Sequence, residues 1–378
     1  MLHTSSHRQE GAMIITVAFW FIALIAFAAL AFDVGHLLVV RNELQNAADA
    51  AALAGANCLD KTPAASGSDC TSANSTTLHW AVAAAKASSS IGMNSSDSVA
   101  LANGTVQTGY WNINGGSSLQ PTTLSPLGPC TIVGGVMTTA CDKPAVMVTL
   151  NKAAGSNGGP VGTLIAAMFS GVGISLTANA VAVISSPGQV SAGALIPYAV
   201  NKCLYDLYWD STTNLPKTAT ATTLNGVPQV IGQPWELRIG SSYHYPNCDS
   251  GQWTSFQQNV NSDSAIKGLI VNGNSAPLAI GDNTWIQTGT KASSFNDLSA
   301  QYPTPPGADV TVPVVDQPAG WVTNTQAPIV AFGAFHIDDI QGGSGKYVQG
   351  HFIPITTSGG SSGGGPNFGS YTPPRLAH

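Results

Sequence analysis

Six cysteines are the residues most able to do chemistry in this chain. They fall into three sequence-local pairs: Cys58 with Cys70, Cys130 with Cys141, and Cys203 with Cys248. None shows a C-x2-C spacing, and no pair of histidines follows at zinc-finger distance, so no metal site is expected from them. An even number, long spacings and Ser/Gly-rich surroundings favour disulfides in an oxidising compartment. Nearest-neighbour pairing is the simplest of many connectivities, and a set of reduced, buried thiols is the alternative. Elsewhere, Asp338-Asp339 follow His336 and invite an acid/base or cation-binding reading. Neighbours on a strand face opposite sides, which favours a solvated strand end instead. Gly342-Gly343-Ser344-Gly345-Lys346 resembles a phosphate loop only superficially. Ile340 stands where the first glycine is needed and Tyr347 where the Mg2+-binding hydroxyl is needed. Tyr243-His244-Tyr245 beside Cys248 reads as a tethered aromatic loop. No nucleophile, base and orienting partner assemble from the sequence. A non-enzyme with no catalytic residue, no cofactor and no metal is therefore expected.

Composition narrows the class. Of 378 residues, 13 are Lys or Arg and 19 are Asp or Glu, so 8% are charged and the net charge is −6. An ordinary globular chain carries about 25%. So few bases exclude a nucleic-acid surface, which needs clustered Lys/Arg. At 44% hydrophobic residues, disorder by high net charge is also excluded.

The elements that must carry these residues begin with a membrane span. Residues 12–32 contain no charge, and Thr16 is their one clearly polar side chain. Such a run crosses about 30 Å of hydrocarbon at about 1.5 Å per residue. Arg8 and Glu10 precede it and Asp33 closes it. A cleaved signal peptide would have a shorter apolar core of about 7–15 residues; Ala29-Leu30-Ala31 mimics its cleavage site, but a retained anchor is the better reading. Residues 34–56 continue as strong helix formers without proline, so span and extension predict one helical rod of about 45 residues. Leu44, Ala47, Ala48, Ala51, Ala52 and Gly55 give this extension a small-residue face fit for close packing against another helix or domain. Asp33 is a further candidate for an interface contact.

Beyond the rod, an Ala-rich helix is expected over 76–89. Strands are expected over 98–112, 144–151 and 174–185, with a short buried helix over 161–170. After the break at Pro187-Gly188, strands are expected over 193–200, 235–239, 266–271, 278–288, 310–315, 328–337 and 347–353. The Gly/Ser-rich stretch from 356 reads as a flexible tail.

The N-terminal block, with Gly11 at the start of the span, Asp33-Val34-Gly35 at its exit, then Arg41, Leu44-Gln45 and Ala48–Ala54, resembles the TadE/TadG-like proteins of Flp (tight adherence) pilus assembly. Segments 144–150, 174–184, 312–316 and 331–337 look like the longer TadG-type members. The resemblance implies an α+β chain: a long N-terminal membrane-spanning helix, an α/β pilin-like segment, then a mainly β extracytoplasmic domain. The expected divisions are a cytoplasmic N-terminus (1–11), transmembrane helix (12–32), helix extension and α+β domain (33–187), mainly β domain (188–355) and tail (356–378). It further implies a structural, non-enzymatic protein serving pilus assembly or surface adhesion, with other pilus-assembly proteins, pilin-like or secretion components, as partners. The chain would sit in the inner membrane as a single-pass protein, N-terminus in the cytoplasm and bulk periplasmic or surface-exposed. Two departures matter. Pilins of this export class carry a Glu five residues after the cleavage glycine, and Thr16 stands there. Asp210-Ser211-Thr212-Thr213-Asn214 lacks the last hydroxyl of the metal motif some TadG-type proteins carry. The competing reading is a ligand-binding, for example glycan-binding, β-domain on a generic anchor. The eight Trp and nine Tyr would then include a solvent-facing stacking platform, but Trp235, Trp253, Trp285 and Trp321, spread over separate segments, read as core.

Overall fold

In the computed structural model, α1 runs unbroken from Glu10–Ala56, 47 residues with no proline, about 70 Å long. The structure describes residues 10–64, 69–71, 77–113, 115–124, 129–131, 138–140, 142–164, 173–287, 292–317, 320–343, 345–357, 361–362 and 365–377. The two halves of α1 differ in what surrounds them. From Met13 to Phe32 the large apolar side chains stand exposed, Met13 at 73% and Trp20 at 66%. From Val40 onward, Leu44, Ala47, Ala48, Ala51, Ala52 and Ala56 are buried, at the three-and-four spacing that keeps one helix face inward.

That face lies on an antiparallel sheet built from β1 (Gly104–Asn112), β2 (Asp142–Lys152) and β3 (Leu176–Val183). The register runs from Gly104 opposite Leu150 to Asn112 opposite Asp142, and from Ala145 opposite Val183 to Lys152 opposite Leu176. Strand alternation turns Val146, Val148 and Leu150 of β2, and Ala178, Ala180 and Ala182 of β3, toward the helices. A second helix, α2 (Trp80–Gly92), completes the layer with Ala83, Ala87 and Ile91 buried against α1. Cys58–Cys70 closes a loop just beyond α1. The Cys130–Cys141 pair and most of the helix expected over 161–170 lie outside the described residues.

A second sheet uses β4 (Tyr198–Asn201), β5 (Leu237–Ile239), β6 (Gly251–Trp253), β7 (Asn283–Ile286), β8 (Ala308–Val315), β9 (Thr325–Gln341) and β10 (Tyr347–Phe352). Its order is β5-β10-β9-β8-β4-β6, with β7 beside the start of β9. Every pairing is antiparallel except β4 with β8. Gly342, Gly343, Gly345 and Lys346 lie between β9 and β10. Helices α3 (Lys202–Tyr208), α4 (Asp263–Asn272) and α5 (Ala292–Gln301) contribute Leu204, Tyr205, Ile266, Ile270, Phe295 and Leu298 to its core. Cys203–Cys248 joins the start of α3 to a short hairpin.

The structure corrects the sequence reading at two places. Residues 266–271 are helical rather than extended. Ser262 caps α4 by accepting from the Ala265 N–H at 3.3 Å, Asp263 sits in the first turn, and Gly273 ends it at φ +70; these signals outweigh the Leu-Ile-Val run. The expected tail is built into the fold where it is described. Ile355–Thr356 pairs with Ser370–Tyr371, and β11 (Arg375–Leu376) joins the edge of the first sheet, Leu376 opposite Ala182. The fold is α+β throughout.

Candidate functional site

The candidate site is α1 itself, the stretch where an apolar rod becomes part of a folded body. Its outer half is one helix long and apolar enough to cross a membrane, by length and composition. At the end of the apolar run Asp33 is 5% exposed, and its Oδ1 accepts a 2.7 Å hydrogen bond from the Leu164 backbone N–H. One turn on, His36 meets the Asp97 carboxylate at 3.1 Å, and the Glu43 carboxylate accepts from the Asp97 N–H at 2.7 Å. Lys152, 1% exposed, donates to the carbonyls of Ser96 and Asn157 and lies 3.8 Å from Asp97. Further along, the Gln45 amide donates to the Asn179 carbonyl at 2.9 Å. Polar ties from Leu164, β3 and the 95–100 hairpin thus hold the first turns of α1 beyond the apolar run, and Lys152 of β2 braces the hairpin.

The small-residue face then takes over. A side chain added at Gly55 would meet the Ala83 carbonyl at 2.7 Å, Ala87 Cβ at 2.9 Å and Val146 Cγ1 at 3.1 Å, so α1, α2 and β2 approach as closely as backbone allows. Leu44, Ala47, Ala48, Ala51 and Ala52 are all at most 2% exposed. The face read from the sequence as a packing surface is filled from within, by the chain's own second helix and sheet. What α1 presents outward beyond the apolar run is Val34, Gly35, Leu38, Val39, Arg41, Asn42, Asn46 and Ala50.

Asp60, four residues past α1, is the other polar group buried here. Burial pushes its carboxyl up, and the Thr356 hydroxyl, which donates to Oδ2, offsets this in part. This contact ties the end of α1 to the returning C-terminal segment. The His36–Asp97–Lys152 cluster and the Asp60–Thr356 tie had no sequence signal, since their members are scattered along the chain.

The remaining sequence candidates do not converge. Trp253 is buried in the second core, Trp235 and Trp321 are partly buried against separate clusters, and Trp285 is half-buried on β7. Asp210 is engaged by the hydroxyls of Thr212 and Thr213 in its own turn. Asp338 and Asp339, read as a solvated strand end, are partly exposed near the end of β9, while His336 before them is 4% exposed; the β9–β10 register shifts between Ile337 and Asp339, and that bulge changes which way Asp338 faces.

Residues 11–57 match the family described as Putative Flp pilus-assembly TadE/G-like, a segment that coincides with α1 to within a residue at either end. No curated protein and no solved structure matches the chain. The match supports a role in Flp pilus assembly, and the apolar helix supports a membrane anchor.

Proposed function

We propose that this protein is a non-enzymatic, single-pass component of an Flp (Tad) pilus-assembly apparatus. It holds its folded body on the outer side of the inner membrane, its N-terminus in the cytoplasm, and docks there with pilin-like or secretion components. The observation that carries this reading is the coincidence of the family match with α1: the matched residues are both the apolar span and the helix face around which the first sheet packs. A rigid continuation from membrane to body suits a part that must keep a fixed stance while other subunits pass. The disulfides Cys58–Cys70 and Cys203–Cys248 support an oxidising compartment for everything after the span.

Topology is tested with paired reporters fused after residue 60, one active only in the cytoplasm and one only in the periplasm. The periplasmic reporter is expected to work and the cytoplasmic one to be silent. The reverse pattern contradicts the proposed orientation. Crosslinking through Leu38 or Arg41, both exposed on α1, is expected to capture other pilus-assembly proteins.

A further inference from the structure

The polar face of the second sheet gathers chemistry that the chain carries far apart. Asp309 on β8 is paired with His336 on β9, and His336 with His351 on β10. Glu236 directly precedes β5, whose Leu237 is paired with Gly350. Four adjacent strands therefore set carboxylate, imidazole, imidazole and carboxylate in one row. The bulge in β9 adds a fifth member. Ile337 faces Gly350 and Asp339 faces Gln349, so Asp338 is the extra residue between them, and its carboxylate turns onto the row.

The contacts are close. His351 Nδ1 lies 2.8 Å from Asp338 Oδ2 and 3.1 Å from Glu236 Oε1. Glu236, Asp338 and His351 each offer a ligand atom within 4.8 Å of the other two. His336 Nδ1 is bonded to Asp309 Oδ1 at 2.6 Å, and its Nε2 lies 3.6 Å from Asp338 Oδ1. The two imidazole rings are 5.2 Å apart, centre to centre.

Two observations set this group apart from surface charges that happen to meet. Glu236 Oε2 is buried without a hydrogen-bond partner, a position a bound cation would satisfy. His336, its side chain 5% exposed, is held through Nδ1 by Asp309 and lies beside His351, so a buried imidazole braces the group from one side. Arg238, two residues along from Glu236, is engaged elsewhere: its Nε donates to Gln349 Oε1 at 3.0 Å and its guanidinium lies 4.3 Å from the Tyr347 ring centre.

We propose that Glu236, Asp338 and His351 form a binding site for a divalent transition metal of the zinc class, as its three protein ligands. Mixed imidazole and carboxylate donors suit such ions better than Ca2+ or Mg2+, which take oxygen ligands. Ligands held about 2.0–2.1 Å from zinc lie roughly 3.3 Å from one another in a tetrahedral site, so the 2.8 and 3.1 Å separations need only a few tenths of an ångström of expansion.

The test uses untagged full-length protein in detergent, stripped with EDTA and titrated calorimetrically with ZnCl2. One equivalent is expected to bind with micromolar or tighter affinity. Asp338→Asn and His351→Gln are expected to abolish that equivalent. Absence of saturable binding by the wild type, or binding unchanged in Asp338→Asn and His351→Gln, overturns the proposal. Should those variants fail to fold, Co2+ added to the wild type decides. A tetrahedral visible spectrum displaced by Zn2+ supports the site; the spectrum of hydrated Co2+ alone refutes it.

Discussion

Asp33 and Leu164 join the two parts of this protein: the carboxylate at the last turn of the apolar span accepts the backbone N–H of a loop 131 residues further along the chain, at 2.7 Å. A hydrogen bond to a charged acceptor is a strong local tie, contributing about 1.5–3 kcal/mol. Asp33→Ala is therefore expected to lower unfolding stability in detergent by about that amount. Asp33→Asn, which keeps a carbonyl oxygen, should lose less. Identical melting of wild type and Asp33→Ala contradicts the tie.

The helix face is a packed core. Ala51 is fully buried between α2 and the first sheet. Ala51→Leu barely changes helix propensity, yet the added methylenes should cost about 1–3 kcal/mol through overpacking. Chemical denaturation of Ala51→Leu beside Ala51→Ser measures it. Wild-type stability of the Leu variant would mean that the face is open.

Lys143 gives a pH-dependent signature. The residue is 4% exposed; burial, opposed by Asp142, lowers its ammonium to about 8, whereas an unfolded chain keeps a lysine near about 10.4. Between those values the unfolded state binds the extra proton, so stability from this group rises with pH across that window and is lowest below it. Lys143→Met is thus expected to stabilise the fold by about 2–3 kcal/mol at neutral pH. The gain should fade as pH climbs past the upper value. Urea melts of both proteins at neutral and alkaline pH check this, and a gain that does not shrink contradicts it.

The disulfides make a covalent prediction. Cys58–Cys70 and Cys203–Cys248 span 12 and 45 residues, and in the chain-entropy picture closing such loops stabilises by about 3 and about 4 kcal/mol. Non-reducing peptide mapping is expected to find both pairs, and the same digest reports on Cys130 and Cys141. Crossed partners or free thiols at these four positions would refute the pairing.

What the sequence reveals follows the range of the interactions involved. The continuous rod was readable because an uncharged run and a proline-free extension are local properties. The strands β1 to β3 were readable because one face of each must alternate. The α4 helix was hidden because its Leu-Ile-Val run mimics a strand while its cap, Ser262, lies outside it. The pairing of Leu376 with Ala182 could not be read from a Gly/Ser-rich composition, which carries no information about long-range register. The small face of α1 announced close packing, but nothing in it named α2 and β2 as what it packs against. Glu236 and His351 are 115 residues apart, and their approach depends on strand order plus a bulge at Asp338. No spacing rule contains either.

The central claim is participation in pilus assembly through the membrane-anchored helix. Its most direct test is to delete the gene in the bacterium that carries it and count Flp pili by electron microscopy, with the deletion strain complemented by the full chain or by a chain lacking residues 12–32. The account predicts that pili disappear on deletion, return with the full chain, and do not return without the span. Wild-type numbers of pili in the deletion strain would contradict it.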